Sequence, residues 1–225
     1  MMEPKTTKDD MIDIEETNKY LNTLSAAERI KWAYKRAPDK LVATTSGGRT
    51  SRILPHLIKE ALGFSIPTIF IDTGHYPPET YKFIAKMHDD GIDVRPYGAG
   101  MSPELMTSIY GELWKEQGGD YEMFLDIVKH RPLNQAFQEL KPHYWLRGLM
   151  GFQTTERSKR PVLEYKHNLY QLHPMIDWNR DKVDDYLKEN NLPINESHFD
   201  ITKGQNLKSE CKIDDNCGFI NGGGI

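Results

Sequence analysis

The chain has 225 residues, 38% hydrophobic and 28% charged, with a net charge of −4 and a mean hydropathy of −0.65, which suits one sizeable core beneath a wet surface. No run approaches the roughly 20 apolar residues that cross a bilayer, and Met1 to Thr17 is polar and acid-rich without an apolar signal core, so neither a membrane span nor secretion is expected. Two cysteines, Cys211 and Cys217, are too few for a disulfide scaffold or for the four thiolates of a [4Fe–4S] cluster, and they point to a reducing, cytoplasmic setting.

Met1 to Asp10 reads as loose chain, followed by a short helix from Asp13 to Leu24. Ser25 and Glu28 form a capping box that opens a second helix through Arg36. Lys40-Leu-Val-Ala-Thr-Thr45 is apolar and β-branched, the pattern of a buried strand, and the helix predicted at 52–62 carries Ile53, Leu54, Leu57, Ile58 and Ala61 at helical spacing. Between them lies Ser46-Gly47-Gly48-Arg49-Thr50-Ser51. A second strand at 67–71 ends in Asp72-Thr73-Gly74, and a helix at 78–90 opens with Pro77-Pro78-Glu79. Further strands are predicted at 93–97, 144–147 and 170–172, with helices at 102–117, 120–129, 133–140 and, behind Asn179, 180–190.

Strands alternating with helices imply an α/β fold: a doubly wound, mostly parallel sheet with helices on both faces. From Glu196 the apolar periodicity is lost, so the expected organisation is a polar segment and short helix at 1–24, a nucleotide-binding domain at 25–195 and a mobile tail at 196–225 that carries both cysteines.

The Ser46–Ser51 segment admits two readings. One is a tight βα turn with two glycines and hydroxyl caps. The other is an anion site, where backbone N–H groups and a helix N-terminus converge on phosphate or sulfate. The second strand favours the latter, because it delivers another polar, glycine-containing end to the same sheet edge, where open parallel sheets bind ligands. Charge is also uneven. Lys129 to Lys166 holds eight basic and three acidic residues, a net +5 in an acidic chain, which suggests a confined anion site and not a nucleic-acid-binding face.

The order SGG-x-x-S, then FIDTG-x-x-x-PETY, resembles the PP-loop group of adenine-nucleotide α-hydrolase-like proteins, and within it the phosphoadenylyl-sulfate (PAPS) reductases. Tyr110-Gly-Glu-Leu-Trp114, Lys129-His-Arg-Pro132, Gly148 with Gln153 and Arg157, His173-Pro174-Met-Ile-Asp177-Trp178 and Asn206-Leu-Lys-Ser-Glu-Cys211 follow in the family's order. The resemblance implies reduction of PAPS to sulfite and adenosine 3′,5′-bisphosphate in sulfate assimilation and cysteine biosynthesis. Cys211 attacks sulfur to give an enzyme thiosulfonate, and reduced thioredoxin or glutaredoxin then frees sulfite. No bound cofactor and no iron–sulfur cluster are implied, and a homodimer is. Ser46, Gly47, Gly48, Arg49, Thr50 and Ser51 hold an anionic group; Asp72, Thr73 and Gly74 shape the nucleotide pocket; Lys129, Gln153 and Arg157 contact substrate. His173-Pro174 and Asp177-Trp178 read as structural.

Three departures stand out. The family's arginine loop, G-x-R-R-x-Q, reads here Gly148-Leu-Met150-Gly151-Phe-Gln153, leaving Arg147 as a candidate substitute. The closing ECGLH is replaced by Cys211-Lys-Ile-Asp-Asp-Asn-Cys217-Gly-Phe219, and the connector before Cys211 is short. Lys208 and Lys212 flank Cys211 and favour its thiolate, whereas Asp214 and Asp215 oppose it at Cys217, which reads as a possible resolving thiol. Other readings are a nucleotidyl transferase or thiolation enzyme of the same fold, against which Thr50 replaces the aspartate of SGG-x-D-S, and a nucleotide-binding homologue with reduced or lost catalysis.

Overall fold

The computed structural model describes residues 12–115 and 119–197; Cys211, Cys217 and nearly all of the expected tail lie outside them. The chain opens with α1 (Ile14–Leu21) and α2 (Ala26–Arg36), the latter under the Ser25–Glu28 capping box. There follow β1 (Leu41–Thr45), α3 (Ile53–Leu62), β2 (Thr68–Asp72), α4 (Pro78–Asp89), β3 (Val94–Gly98) and α5 (Pro103–Tyr110). A composite helix then runs from α6 (Tyr121–Leu125) through a π-helical turn (Asp126–His130) into α7 (Arg131–Leu140). Next come β4 (Tyr144–Leu146), a 3₁₀ turn (Gly151–Gln153), α8 (Thr155–Ser158), β5 (Leu163–Lys166), β6 (Leu169–Leu172) and α9 (Arg180–Glu189).

The six strands lie in the order β3-β2-β1-β4-β6-β5, parallel except for β5, which pairs antiparallel with β6 at the edge. Strand order reverses between β1 and β4, so the crevice between their C-terminal ends is the switch point at which such sheets take ligands. Side chains alternate between two cores. Leu41, Ala43, Tyr144, Leu146 and Leu172 pack with α2, α3 and α9 on one face. Val42, Ile69, Ile71, Trp145 and Leu169 pack under α7 on the other.

Several elements differ from expectation: the helices expected separately at 120–129 and 133–140 join through the π-helical turn, and the 3₁₀ turn and α8 were not expected. The helix predicted to reach 117 stops at Tyr110, because Gly111 takes a left-handed φ of 75° and ends it. The strand β5 was not predicted. Its Leu-Glu-Tyr-Lys sequence is half polar, as suits an edge, and its hairpin turn uses His167 and Asn168, both at positive φ (55° and 58°).

Arg29 ties the N-terminal helices to the chain after β6. It is fully buried and pairs fork-to-fork with Asp177 (2.8 and 2.9 Å), while also donating to the carbonyls of Leu21 (3.0 Å) and Pro174 (2.8 Å). Burial raises the Asp177 carboxyl, but hydrogen bonding and charge from Arg29 outweigh it and hold the group below its ordinary value. Together with the burial of Trp178 in the first core, this gives Asp177-Trp178 the structural role read from the sequence.

Candidate active site

The glycine turn follows β1 directly. Gly47 has φ 72°, and a Cβ there would sit 2.8 Å from Thr80 Cγ2, so both conformation and space require glycine. Ser51 closes the turn: its Oγ donates to the Gly48 carbonyl (2.7 Å), and its own carbonyl accepts from Thr45 Oγ1 (3.2 Å). Ser46 Oγ accepts from the Gly48 N–H (3.3 Å). Thr50 and Ser51 are half-buried and Ser46 is exposed at the entrance to α3. Arg49 instead forms an exposed ion pair with Asp184 of α9 (3.0 Å), an arrangement worth at most about 1 kcal/mol.

At the neighbouring end of β2, Asp72 Oδ1 accepts from the Gly74 N–H (2.9 Å) and from the Tyr81 hydroxyl (2.8 Å). Burial, reinforced by the Asp72 hydrogen bond, pushes the Tyr81 phenol up to about 12, so it remains a donor throughout the neutral range. Thr73 is buried and its Oγ1 accepts from the His75 N–H (3.3 Å). This end is a turn held by its own hydrogen bonds.

Across the switch point lies a group of buried cations. Arg147 directly follows β4 on the side of Trp145, which places its guanidinium 4.4 Å over that ring, and its Nη1 donates to Gln171 Oε1 of β6 (2.7 Å). Thr154 caps α8 through the Arg157 N–H (3.1 Å), and the buried Arg157 guanidinium donates to Gln153 Oε1. Both of these acceptors are neutral amides, which orient the guanidinium that they hold. Arg160 pairs with Glu164 (2.6 Å). Lys129 is buried in the π-helical turn, midway along the composite helix.

His173 sits among these arginines, fully buried. Nδ1 lies 2.8 Å from the Pro161 carbonyl, which assigns the proton to that nitrogen, and Nε2 is 3.5 Å from Glu164 Oε1 without a hydrogen bond. Burial first, then the charges of Arg147, Arg160 and Arg157, push its pKa down to about 3. The ring is therefore neutral and adds no charge of its own. His173, Gln171 and Arg160 were not among the sequence candidates. A signal existed for two of them: Gln171 in β6 and His173 just past its end are two residues apart along extended chain, hence on one side.

The neutral ring has a consequence for acid stability. The folded pKa lies below the ordinary 6.5, so its stabilisation is complete above that pH and is lost as pH falls toward 3. The loss is about 1.4 kcal/mol per pH unit. His173→Gln is expected to shrink the difference in urea-unfolding free energy between pH 7 and pH 5 by about 2 kcal/mol. An unaltered difference would mean that the ring is not held neutral.

The structure also accounts for the missing arginine pair. Met150 is fully buried, and a Cβ on Gly151 would meet the Ile176 carbonyl at 2.9 Å and Ser158 Cα at 3.3 Å. The Gly151 N–H donates to that same carbonyl (2.8 Å). No side chain fits at Gly151 without backbone movement.

The model of the phosphoadenosine phosphosulfate reductase domain matches residues 40–200, spanning the whole sheet and both sides of the switch point. The chain belongs to that family. Phosphoadenosine 5′-phosphosulfate reductase domains of this kind belong to oxidoreductases acting on a sulfur group, in sulfate assimilation. The chain is 36% identical over 185 residues to phosphoadenosine 5′-phosphosulfate reductase of Salmonella newport (strain SL254), covering 82% of this chain and 75% of that one. Among solved structures it is similar to the PAPS reductase of Candida auris in a phosphate complex, at 27% identity and a TM-score of 0.72, covering 83% of this chain and 91% of that one. The Candida glabrata FMN adenylyltransferase with FAD and inorganic pyrophosphate shares the fold alone, at 13% identity and a TM-score of 0.56, over 83% of this chain and 62% of that one. Among the described residues no helix is long and apolar enough to cross a membrane, and no His, Cys, Asp and Glu side chains gather as a metal site.

Proposed function

We propose that the chain reduces 3′-phosphoadenylyl sulfate to sulfite and adenosine 3′,5′-bisphosphate. The Cys211 thiolate attacks the sulfur, forming an S–S bond as the bond from sulfur to the bridging phosphate oxygen breaks, and the nucleotide leaves as the bisphosphate. A thiol of reduced thioredoxin or glutaredoxin then attacks Cys211 Sγ and expels sulfite. A second thiol of that partner resolves the mixed disulfide, so two electrons pass from the dithiol to sulfur. The protein works as a homodimer in a reducing, cytoplasmic compartment, without a bound metal or organic cofactor and without nucleic acid.

The observation that carries this reading is the pair of buried guanidiniums, Arg147 and Arg157, held by neutral amides around a neutral His173 across the switch point from the glycine turn. Such a site stabilises negative charge growing on a departing phosphate. Ser46, Gly47, Gly48, Thr50 and Ser51 supply donors on the opposite side, and Lys129 supplies a further cation.

Selectivity follows from the cysteine count. Two thiols in the whole chain cannot hold the cluster of the related adenylyl-sulfate (APS) reductases, and the +5 segment suits the additional 3′-phosphate. Sulfite formation with reduced thioredoxin should therefore be faster with PAPS than with APS by at least tenfold in kcat/KM. Equal or better turnover of APS, or iron and sulfide in the isolated protein, contradicts it. The closed space at Gly151 favours one second reading, a nucleotide-binding homologue with weakened catalysis; tight bisphosphate binding without sulfite formation is the result that would select it.

A further inference from the structure

Asn195 is buried, close to the end of the described chain, yet its carboxamide reaches back to the nucleotide side of the sheet. Nδ2 donates to the Gly47 carbonyl (2.8 Å) and to Thr80 Oγ1 (3.0 Å), while Oδ1 accepts from the Ser197 N–H (3.2 Å). Thr80 is fully buried in the first turn of α4, and it is the side chain that a Cβ on Gly47 would strike. Three segments thus meet at one carboxamide: the glycine turn after β1, the start of α4 after Asp72–Gly74, and the chain leaving α9 toward Cys211.

We propose that Asn195 is a positioning residue for the reductase reaction, fixing the glycine turn against α4 in the form that receives the nucleotide. This rests on the reading given under Proposed function. Its loss would strip a buried carbonyl and a buried hydroxyl of their donor, an effect of roughly tenfold or more on the equilibrium that keeps the turn in that form. Asn195→Asp keeps the shape and sets a carboxylate oxygen against the Gly47 carbonyl, so it tests the bond and not the volume.

The test uses the full chain. Binding of adenosine 3′,5′-bisphosphate is titrated calorimetrically for the parent, Asn195→Asp, Thr80→Val and the double variant, and single-turnover loss of PAPS is timed at saturation. Asn195→Asp should weaken bisphosphate binding at least tenfold while the saturated single-turnover rate stays within about threefold. Thr80→Val should weaken binding less, and the double variant should be no worse than Asn195→Asp alone, since one contact is being removed twice. Unchanged affinity with a slower saturated turnover would assign Asn195 to the tail and overturn the proposal, as would additive effects of the two substitutions. If Asn195→Asp fails to fold, Thr80→Val decides alone: unchanged affinity overturns the proposal. Failure of the parent to bind the bisphosphate overturns the underlying reading and the proposal with it; a parent that binds and a variant that binds equally well overturn only the proposal.

Discussion

Cys211→Ser is expected to abolish sulfite release from PAPS, by at least about a thousandfold, while adenosine 3′,5′-bisphosphate binds as before. The serine hydroxyl is almost wholly protonated at neutral pH and is a far weaker nucleophile toward sulfur than a thiolate. Cys211 lies in Asn206-Leu-Lys-Ser-Glu-Cys211, with Lys208 and Lys212 nearby to favour the thiolate and to lessen repulsion from a polyanionic substrate. Cys217 follows Asp214 and Asp215, which act in the opposite direction. Cys217→Ser should therefore retain most of the single-turnover rate, and any slowing should appear only in steady state, where a resolving thiol acts. Sulfite formation by both variants, beside calorimetric binding of the bisphosphate, is the measurement. A Cys217→Ser protein as inactive as Cys211→Ser would remove the distinction between the two thiols.

The second large effect is expected at the arginines. Arg157→Ala and Arg147→Ala each remove a charge-assisted contact worth about 1.5–3 kcal/mol, or roughly 10- to 150-fold in the dissociation constant of the bisphosphate. Arg157 should give the larger loss, because it occupies the position of the arginine that closes the family's loop, whereas Arg147 is only a candidate substitute for the pair absent at Met150-Gly151. The double variant should fall short of the sum, since both guanidiniums face His173 and share its environment. Arg157→Lys should recover only part of the loss, as an ammonium cannot reproduce the planar fork held by Gln153. Because Arg157 is buried, thermal unfolding must accompany the titrations. Undiminished affinity in a folded Arg157→Ala protein would place the anion site elsewhere.

Local pattern made most of the sheet legible. The strands β1, β2, β4 and β6 are short apolar runs bounded by turn residues, and the alternating helices dictated parallel winding. Local pattern also explains the failures. The strand β5 is half polar because one edge and one face are wet, and α5 ends where Gly111 takes a positive φ inside a stretch whose sequence otherwise reads as helix. The glycine turn and Asp72–Gly74 could be recognised because their chemistry is written in consecutive residues. The arginine substitution was visible as an absence, but its cause is a carbonyl from Ile176 pressed against Gly151, a contact that no local pattern encodes. Asn195 is the extreme case. Its partners are 148 and 115 residues away, and Leu-Pro-Ile-Asn-Glu reads as an ordinary loop until the chain is folded.

Attack of a thiol on the sulfur of PAPS is tested most directly by mixing the protein with PAPS labelled in its sulfonate, with no reductant present. Peptide mass analysis and nucleotide chromatography would follow one turnover. The prediction is one equivalent of adenosine 3′,5′-bisphosphate released per active site and the label held as a thiosulfonate on Cys211. A labelled adduct that survives Cys211→Ser, or nucleotide turnover that leaves the sulfonate label as free sulfate, would contradict it.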